Sequence, residues 1–282
     1  MGILYLIGSP IGNLKDITVR AIELLGSVEL IACEDTRVTR KLLNHYDIHV
    51  KTISCNSHNW ASRIDQIKTV LDRADVAFIT DAGMPSISDP GWEISSSLRD
   101  DGYQIEVIPG VSAITTALTL SGLDASSFVF LGFLPRKEKE VSTLFESYSK
   151  ISSPIMFFES PHRIIKSLER IKTAIGNVDV VVCREMTKIF QERFEGHIAD
   201  AVEYFENPRG EFVVIINKEP YEKLNYFTEF DLNSLIEDIS TMKKKGIQAR
   251  AGIPELLKKY PIRKNEIYQH WIGLKVTGTD EN

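Results

Sequence analysis

Along this chain a short apolar run repeatedly ends at a cluster of glycine, proline and charged residues, and a helical period begins beyond it. The clusters are residues 8–13, 33–37, 80–91, 109–113, 159–163 and 184–188. Short apolar runs bounded by turn residues read as buried strands. In the first half they are 3–7, 28–32, 50–53, 75–80 and 104–108; in the second, 128–131, 154–158, 178–183 and 212–216, with 189–195 as a further candidate. Helical spacing lies between them, as in Val19, Ile22 and Leu25, or Ile64, Ile67, Val70 and Leu71. Strands alternating with helices predict an α/β fold with a parallel sheet of right-handed units, repeated in style in the second half. Polar turns that follow parallel strands gather on one edge of the sheet, where such folds build ligand clefts.

The richest of these turns runs from Thr80 to Gly91 and holds Asp81, Gly83, Pro85, Ser86, Ser88, Asp89 and Pro90. Gly83 and Gly91 permit a positive φ, and the prolines stiffen the loop and remove donors. The expected helix covers 90–100, with Asp89 as its cap and Pro90 at its first position.

Composition narrows the classes. No apolar run is long enough to span a bilayer, and strand-like residues follow Met1 at once, so neither a membrane segment nor a secretory signal is expected. Cys33, Cys55 and Cys183 are odd in number and lack metal-type spacing, which predicts free thiols and a cytoplasmic protein. A formal charge of −6 argues against a basic nucleic-acid coat while leaving room for local patches. The phosphate-cradling P-loop pattern is absent, the G-x-G-x-x-G fingerprint does not follow the first strand, and no zinc motif or nucleophile elbow occurs. No metal is expected.

The turns themselves carry a resemblance. Gly8-Ser-Pro-Ile-Gly-Asn-Leu14, Glu34-Asp-Thr-Arg37, Asp81-Ala-Gly-Met-Pro-Ser-Ile-Ser-Asp-Pro-Gly91, Pro109-Gly-Val-Ser-Ala113, Gly132-Phe-Leu-Pro135, Glu159-Ser-Pro-His-Arg163 and Arg184-Glu-Met-Thr-Lys188 stand in the order seen in ribosomal RNA small-subunit methyltransferases I, of the tetrapyrrole-methylase (class III) superfamily. The resemblance covers roughly residues 3–217, with Arg209-Gly-Glu-Phe212 as a further match. Departures are Ser9, Met84 and Met186, and Asn56-Ser57 where a His-Glu pair is often found. The resemblance implies two α/β domains with a cofactor cleft between them, S-adenosylmethionine as methyl donor and a homodimer. As acceptor it implies the ribose 2′-hydroxyl of a cytidine in 16S rRNA, at the decoding centre of the small ribosomal subunit. Carried over by position, the implied cofactor contacts are Pro10, Asp81, Ala82, Gly83, Met84, Pro85, Ser88, Ser112 and Ala113. Asp81 could meet the cofactor's ammonium or order its own loop. The domains expected are 1–122, 123–220 and a helical appendix at 225–282.

Methyl transfer to a hydroxyl needs alignment, and a base or polarising cation helps a poor nucleophile. Candidates facing the cleft are Glu34, Asp35, Asp89, Glu159, Glu185 and Lys188. Glu34 or Asp35 is favoured, because they sit in the shortest strand-to-helix turn. Arg37, Arg40, Lys41, Arg136, Lys137, Arg163 and Lys188 form the expected phosphate-contacting set. Two rivals share the fold: a methylase of a tetrapyrrole precursor, which would need an open trough for a flat polyanion, and a non-catalytic RNA-binding protein.

Residues 231–272 read as helical, and within them 243–264 concentrate Lys243, Lys244, Lys245, Arg250, Lys258, Lys259, Arg263 and Lys264 against Glu255 alone. Helices 249–260 and 264–274, broken at Pro261, would share a seam of Ile253, Leu256, Leu257, Ile267 and Trp271 and act as an electrostatic handle on rRNA.

Overall fold

The computed structural model describes residues 1–217, 232–260 and 264–274. Residues 1–218 form one compact unit and 219–282 another.

The first unit holds two five-stranded sheets. In the first, β1 (Ile3–Ile7), β2 (Leu30–Cys33), β3 (Lys51–Ser54), β4 (Val76–Ile79) and β5 (Gln104–Ile108) lie in the order β3-β2-β4-β1-β5, all parallel. Every residue of β2 and β4 is buried, as expected for strands covered on both faces. Helices α1 (Val19–Ser27) and α2 (Thr36–His45) contribute Leu25 and Leu42 to the core on one face. Helices α3 (Trp60–Leu71) and α4 (Trp92–Asp100) contribute Ile67 and Leu98 to the other. Because the strands are parallel, the turns after β1, β2, β4 and β5 share one edge. They bond to each other there: the Ser9 amide donates to the Gly83 carbonyl at 2.8 Å, and the Gly83 amide donates back to Ser9 at 3.1 Å. Gly8 and Gly110 press together so closely that a Cβ on Gly8 would lie 2.8 Å from the Gly110 Cα.

The second sheet departs from the parallel expectation. Its strands are β6 (Val129–Phe133), β7 (Ile155–Glu159), β8 (Asp179–Arg184), β9 (Glu192–His197) and β10 (Phe212–Asn217), in the order β6-β7-β10-β8-β9. Only β6 and β7 are parallel; β10 runs antiparallel to both β7 and β8, and β9 antiparallel to β8. The physical reason is the connection: no helix separates β8 from β9, and a short link without a crossover returns the chain antiparallel. As a result β10 begins, rather than ends, at the edge where β7 and β8 finish, with Phe212 opposite both Glu159 and Arg184.

Helices α6 (Glu138–Ser147), α7 (Ile164–Ile175) and α8 (Ile198–Tyr204) cover one face of this sheet through Phe145, Leu168 and Ile198. Helix α5 (Ala113–Ser121) covers the other, packing Ile114, Ala117 and Leu118 on Met156, Val181 and Ile215. The chain therefore crosses to the second sheet before α5, and a division at 122 remains a proposal about the sequence rather than a break in packing. The thiols of Cys33, Cys55 and Cys183 are free and buried.

The second unit contains α9 (Leu232–Lys244), α10 (Ala249–Lys259) and α11 (Lys264–Gly273). Its core joins Leu235 and Ile239 to Ile253, Leu256, Tyr260, Ile267 and Trp271. Leu257, expected in that seam, is 39% exposed; it is the neighbour of Leu256 and so points off the buried stripe. Lys243 donates to the Leu274 carbonyl at 2.6 Å and Lys259 pairs with Asp238 at 2.5 Å, whereas Lys244 and Lys245 are exposed. Pro261, Arg263, 225–231 and 275–282 lie outside the described residues, as do the side chains of Arg250, Lys258 and Lys264. No helix among the described residues is long and apolar enough to cross a membrane.

Candidate active site

The two sheets of the first unit face each other across their decorated edges. The loop after β1 seats against the loop after β8: the Asn13 amide donates to Thr187 Oγ1 at 3.1 Å, and a Cβ on Gly12 would lie 2.6 Å from Lys188 Cγ. Ser86, Ser88, Glu185 and Thr187 all adopt positive φ without being glycine. Such conformations cost free energy and cluster where a loop is shaped for a ligand.

Between the edges lies a cavity of about 390 Å³. The first half lines it with Ile11, Glu34, residues 81–84, Ile87, Ser88, Asp89, Ser112 and Ala113. The second half adds Phe133, Phe158, Met186, Phe212 and Val213, with Glu159 and Glu211. Of the residues expected to hold a cofactor, Asp81, Ala82, Gly83, Met84, Ser88, Ser112 and Ala113 all line this space. Pro10 instead lines an adjoining cavity of about 430 Å³, and Pro85 is buried beneath the loop. The rings of the second half were not singled out in the sequence. Phe133 and Phe212 fall inside the motifs that carry the resemblance and Phe158 directly precedes one, which is the signal that could have found them.

Three acids shape the electrostatics. Glu34 Oε2 accepts from the Asp81 amide at 3.3 Å, and Asp81 Oδ1 accepts from the Asp35 amide at 3.1 Å, so Asp81 orders the turn it faces. Burial raises the pKa of Glu34, against the Asp81 amide bond and with help from the charges of Asp81 and Asp35. Burial likewise raises that of Asp81, against its bond from the Asp35 amide and with help from the Asp35 charge. Asp89 is pushed up to about 7, first by burial and then by Glu34 and Asp81. It does not cap α4. The cap is Gly91, whose φ of 135° turns the chain into the helix at Trp92, so Pro90 is not the first helical residue and the Asp89 carboxyl is left facing the cavity.

The other candidates are committed elsewhere. Asp35 caps α2, accepting from the Arg37 amide at 2.8 Å and gripping its guanidinium, and these bonds hold its pKa down to about 2. Glu159 is buried, with Ser167 Oγ donating to it at 2.5 Å and the Ser160 amide at 2.9 Å, and Arg163 forms an ion pair with it at 3.4 Å. Burial alone would raise the Glu185 pKa, but its bond with Lys188 lowers it. Lys188 is held between Glu185 and Glu211 at 2.8 and 2.9 Å. Arg163 also donates to the carbonyls of Leu134 and Pro135, and so serves the fold rather than an incoming phosphate. Arg37, Arg40, Lys41, Arg136 and Lys137 are exposed; Arg37 pairs with Asp35 and Lys137 with Glu140. Among the described residues no metal-type cluster of His, Cys, Asp and Glu occurs.

Comparison with known proteins places this arrangement. Residues 3–202 match the Tetrapyrrole (Corrin/Porphyrin) Methylases family. The ribosomal RNA small subunit methyltransferase I of Thermotoga maritima is 44% identical over 220 residues, covering 77% of this chain and 99% of that protein. The protein of the same name from Halalkalibacterium halodurans is 37% identical over 272 residues, covering 95% of this chain and 93% of its own length. Among solved structures, diphthine synthase aligns with a TM-score of 0.63 at 15% identity, over 77% of this chain and 90% of the other. A cobalt precorrin-4 methyltransferase aligns at 0.58 and 18%, over 76% and 94%. At such identities these two structures speak for the fold alone.

Proposed function

The chain belongs to the tetrapyrrole methylase family and, within it, to the ribosomal RNA small subunit methyltransferases I, and on that premise we propose that it methylates the 2′-hydroxyl of a cytidine ribose in 16S rRNA at the decoding centre. The family's donor, S-adenosylmethionine, supplies an electrophilic methyl group on a sulfonium.

The observation that carries the reading is the cavity wall of Glu34, Asp81 and Asp89. Among the described residues no ion pair engages any of the three, and the Asp89 carboxyl has no hydrogen-bond partner. Three half-buried acids crowded together without a cation are unfavourable, and a cationic ligand relieves that cost. The donor carries both an ammonium and a sulfonium, so this wall fits it. Phe133, Phe158, Met186 and Val213 offer the apolar face its adenosine needs, and the volume is that of an ordinary small-molecule site.

In this reading Asp81, Ser88, Ser112 and Ala113 bind and orient the donor, and Asp89 balances its charge. Glu34 takes the proton from the acceptor hydroxyl. Burial raises its pKa, the direction that makes a carboxylate a stronger base, and Asp35, tied to Arg37, drops out of that role. The active form is a homodimer; a single-chain mass by light scattering at micromolar concentration would remove that part.

The decisive experiment is transfer of labelled methyl to small ribosomal subunits from a strain lacking the gene. We expect alkali-resistant label at one cytidine, the signature of a blocked 2′-hydroxyl. Label on a base, or on free tetrapyrrole but not on the subunit, would overturn the assignment.

A further inference from the structure

The cavity beside the donor site is a place where a polar group has been buried without a partner. It shares Ile11, Asp81, Ala82 and Glu211 with the donor cavity, so the two spaces meet at a common wall. Thr80, directly after β4, is 2% exposed, and among the described residues its Oγ1 lacks any hydrogen-bond partner. It lines this second cavity. Buried hydroxyls are almost always satisfied, so an orphan beside open space points to a partner arriving from outside. The rest of the lining has a matching character. Ser9, whose Oγ donates to the Gly83 carbonyl at 3.4 Å, and Thr39 add hydroxyls, and Lys41 adds an ammonium that pairs with no described acid. Lys188 also lines the space, though Glu185 and Glu211 already neutralise it.

Hydroxyl-bonding groups and one uncompensated cation, joined to the donor site by a common wall, suit a sugar bearing a phosphate. We propose that this second cavity is the acceptor subsite, where one ribose-phosphate unit of the RNA is held with a ribose hydroxyl on Thr80 Oγ1 and a flanking phosphate on Lys41. The proposal rests on the methyltransferase reading above. It locates the acceptor toward β1, β4 and α2 and the donor toward the second sheet, the two meeting at the residues both cavities share.

The test uses the full-length protein saturated with S-adenosylhomocysteine and measures binding of cytidine 3′,5′-bisphosphate and its 2′-deoxy analogue by calorimetry. Wild type should bind the ribonucleotide about tenfold tighter than the deoxy analogue, the usual scale for one hydrogen bond to a buried polar group. Thr80→Val should erase that preference while leaving thermal stability equal or higher, because the native hydroxyl has no protein partner to lose. Lys41→Ala, at an exposed position safe for folding, should weaken both nucleotides several-fold and flatten their salt dependence. S-adenosylhomocysteine affinity should stay unchanged in both variants. Failure of wild type to bind either nucleotide, or unaltered nucleotide binding in both variants, would overturn the subsite. So would weakened S-adenosylhomocysteine binding in Thr80→Val, which would make the cavity part of the donor site. Absence of any S-adenosylhomocysteine binding to wild type would instead sink the methyltransferase reading on which the subsite depends.

Discussion

The two halves of the first unit place acids after strands in the same way, yet those acids meet opposite fates. Glu34, Asp81 and Asp89, from the first half, stand in the cavity without cations. Glu159 and Glu185, from the second half, are closed off by Ser167, Arg163 and Lys188. The second half then meets the cavity with Phe133, Phe158 and Val213. An acid after a strand is therefore ambiguous until its neighbours are known. One set of carboxylates is free to answer a ligand's charge, and the other is consumed in holding its own loops.

The sharpest way to break this contrast is to neutralise one acid from each side. Glu34→Gln should lower kcat by roughly 10²–10⁴ while S-adenosylhomocysteine affinity holds within about twofold, as expected for loss of a general base. A parallel loss of affinity would move Glu34 into the donor site. Glu159→Gln should instead show in stability, by about 2–3 kcal/mol in denaturant unfolding, because it disrupts a buried network. A fall in kcat without a change in stability would show that the second half's acid is chemical after all.

The apolar wall is tested by Phe158→Ala. Loss of ring contact should weaken the donor about tenfold, with kcat at saturation little changed. Unaltered affinity would take the ring out of the site.

A smaller effect should appear with pH. Asp89 ionises near 3.8 when unfolded and near 7 when folded, so the free protein holds an extra proton between those values. Its contribution to stability is present at low pH and is lost as pH rises through about 7. Asp89→Asn should therefore raise the melting temperature of the ligand-free protein at pH 8 and leave it unchanged at pH 3.5. Over the same range a cationic donor should bind better as Asp89 ionises, so affinity should rise from pH 6 to 8 in wild type and stay flat in the variant. A flat wild-type profile would remove Asp89 from the charge balance.

The smallest effect on donor binding, and none by expectation, belongs to the C-terminal unit. A relative matched along 99% of its length is covered by 77% of this chain. Removing 225–282 should leave S-adenosylhomocysteine affinity intact and make the salt dependence of subunit binding shallower, since fewer counterions are released. An unchanged salt slope would reduce the unit to a structural appendage.

Much of this protein was legible along its sequence. Strand and turn positions follow from short apolar runs stopped by Gly, Pro and charge, and the parallel first sheet follows from helices between strands. The cleft position follows too, since parallel strands put all their following turns on one edge. What stayed hidden depended on contacts between distant residues. The antiparallel return of β9 and β10 was decided by a missing crossover, and the location of α5 by which sheet offered Met156 and Val181 an apolar cover. Glu34 and Asp35 are adjacent in sequence, but one faces the cavity and the other caps a helix, because successive residues at a strand end point opposite ways. Asp89 looked like a cap until a glycine at φ 135° took that place and left its carboxyl half-buried among like charges. Residue type sets what a side chain can do; which neutral, charged or empty space it faces is set only when the chain has closed around it.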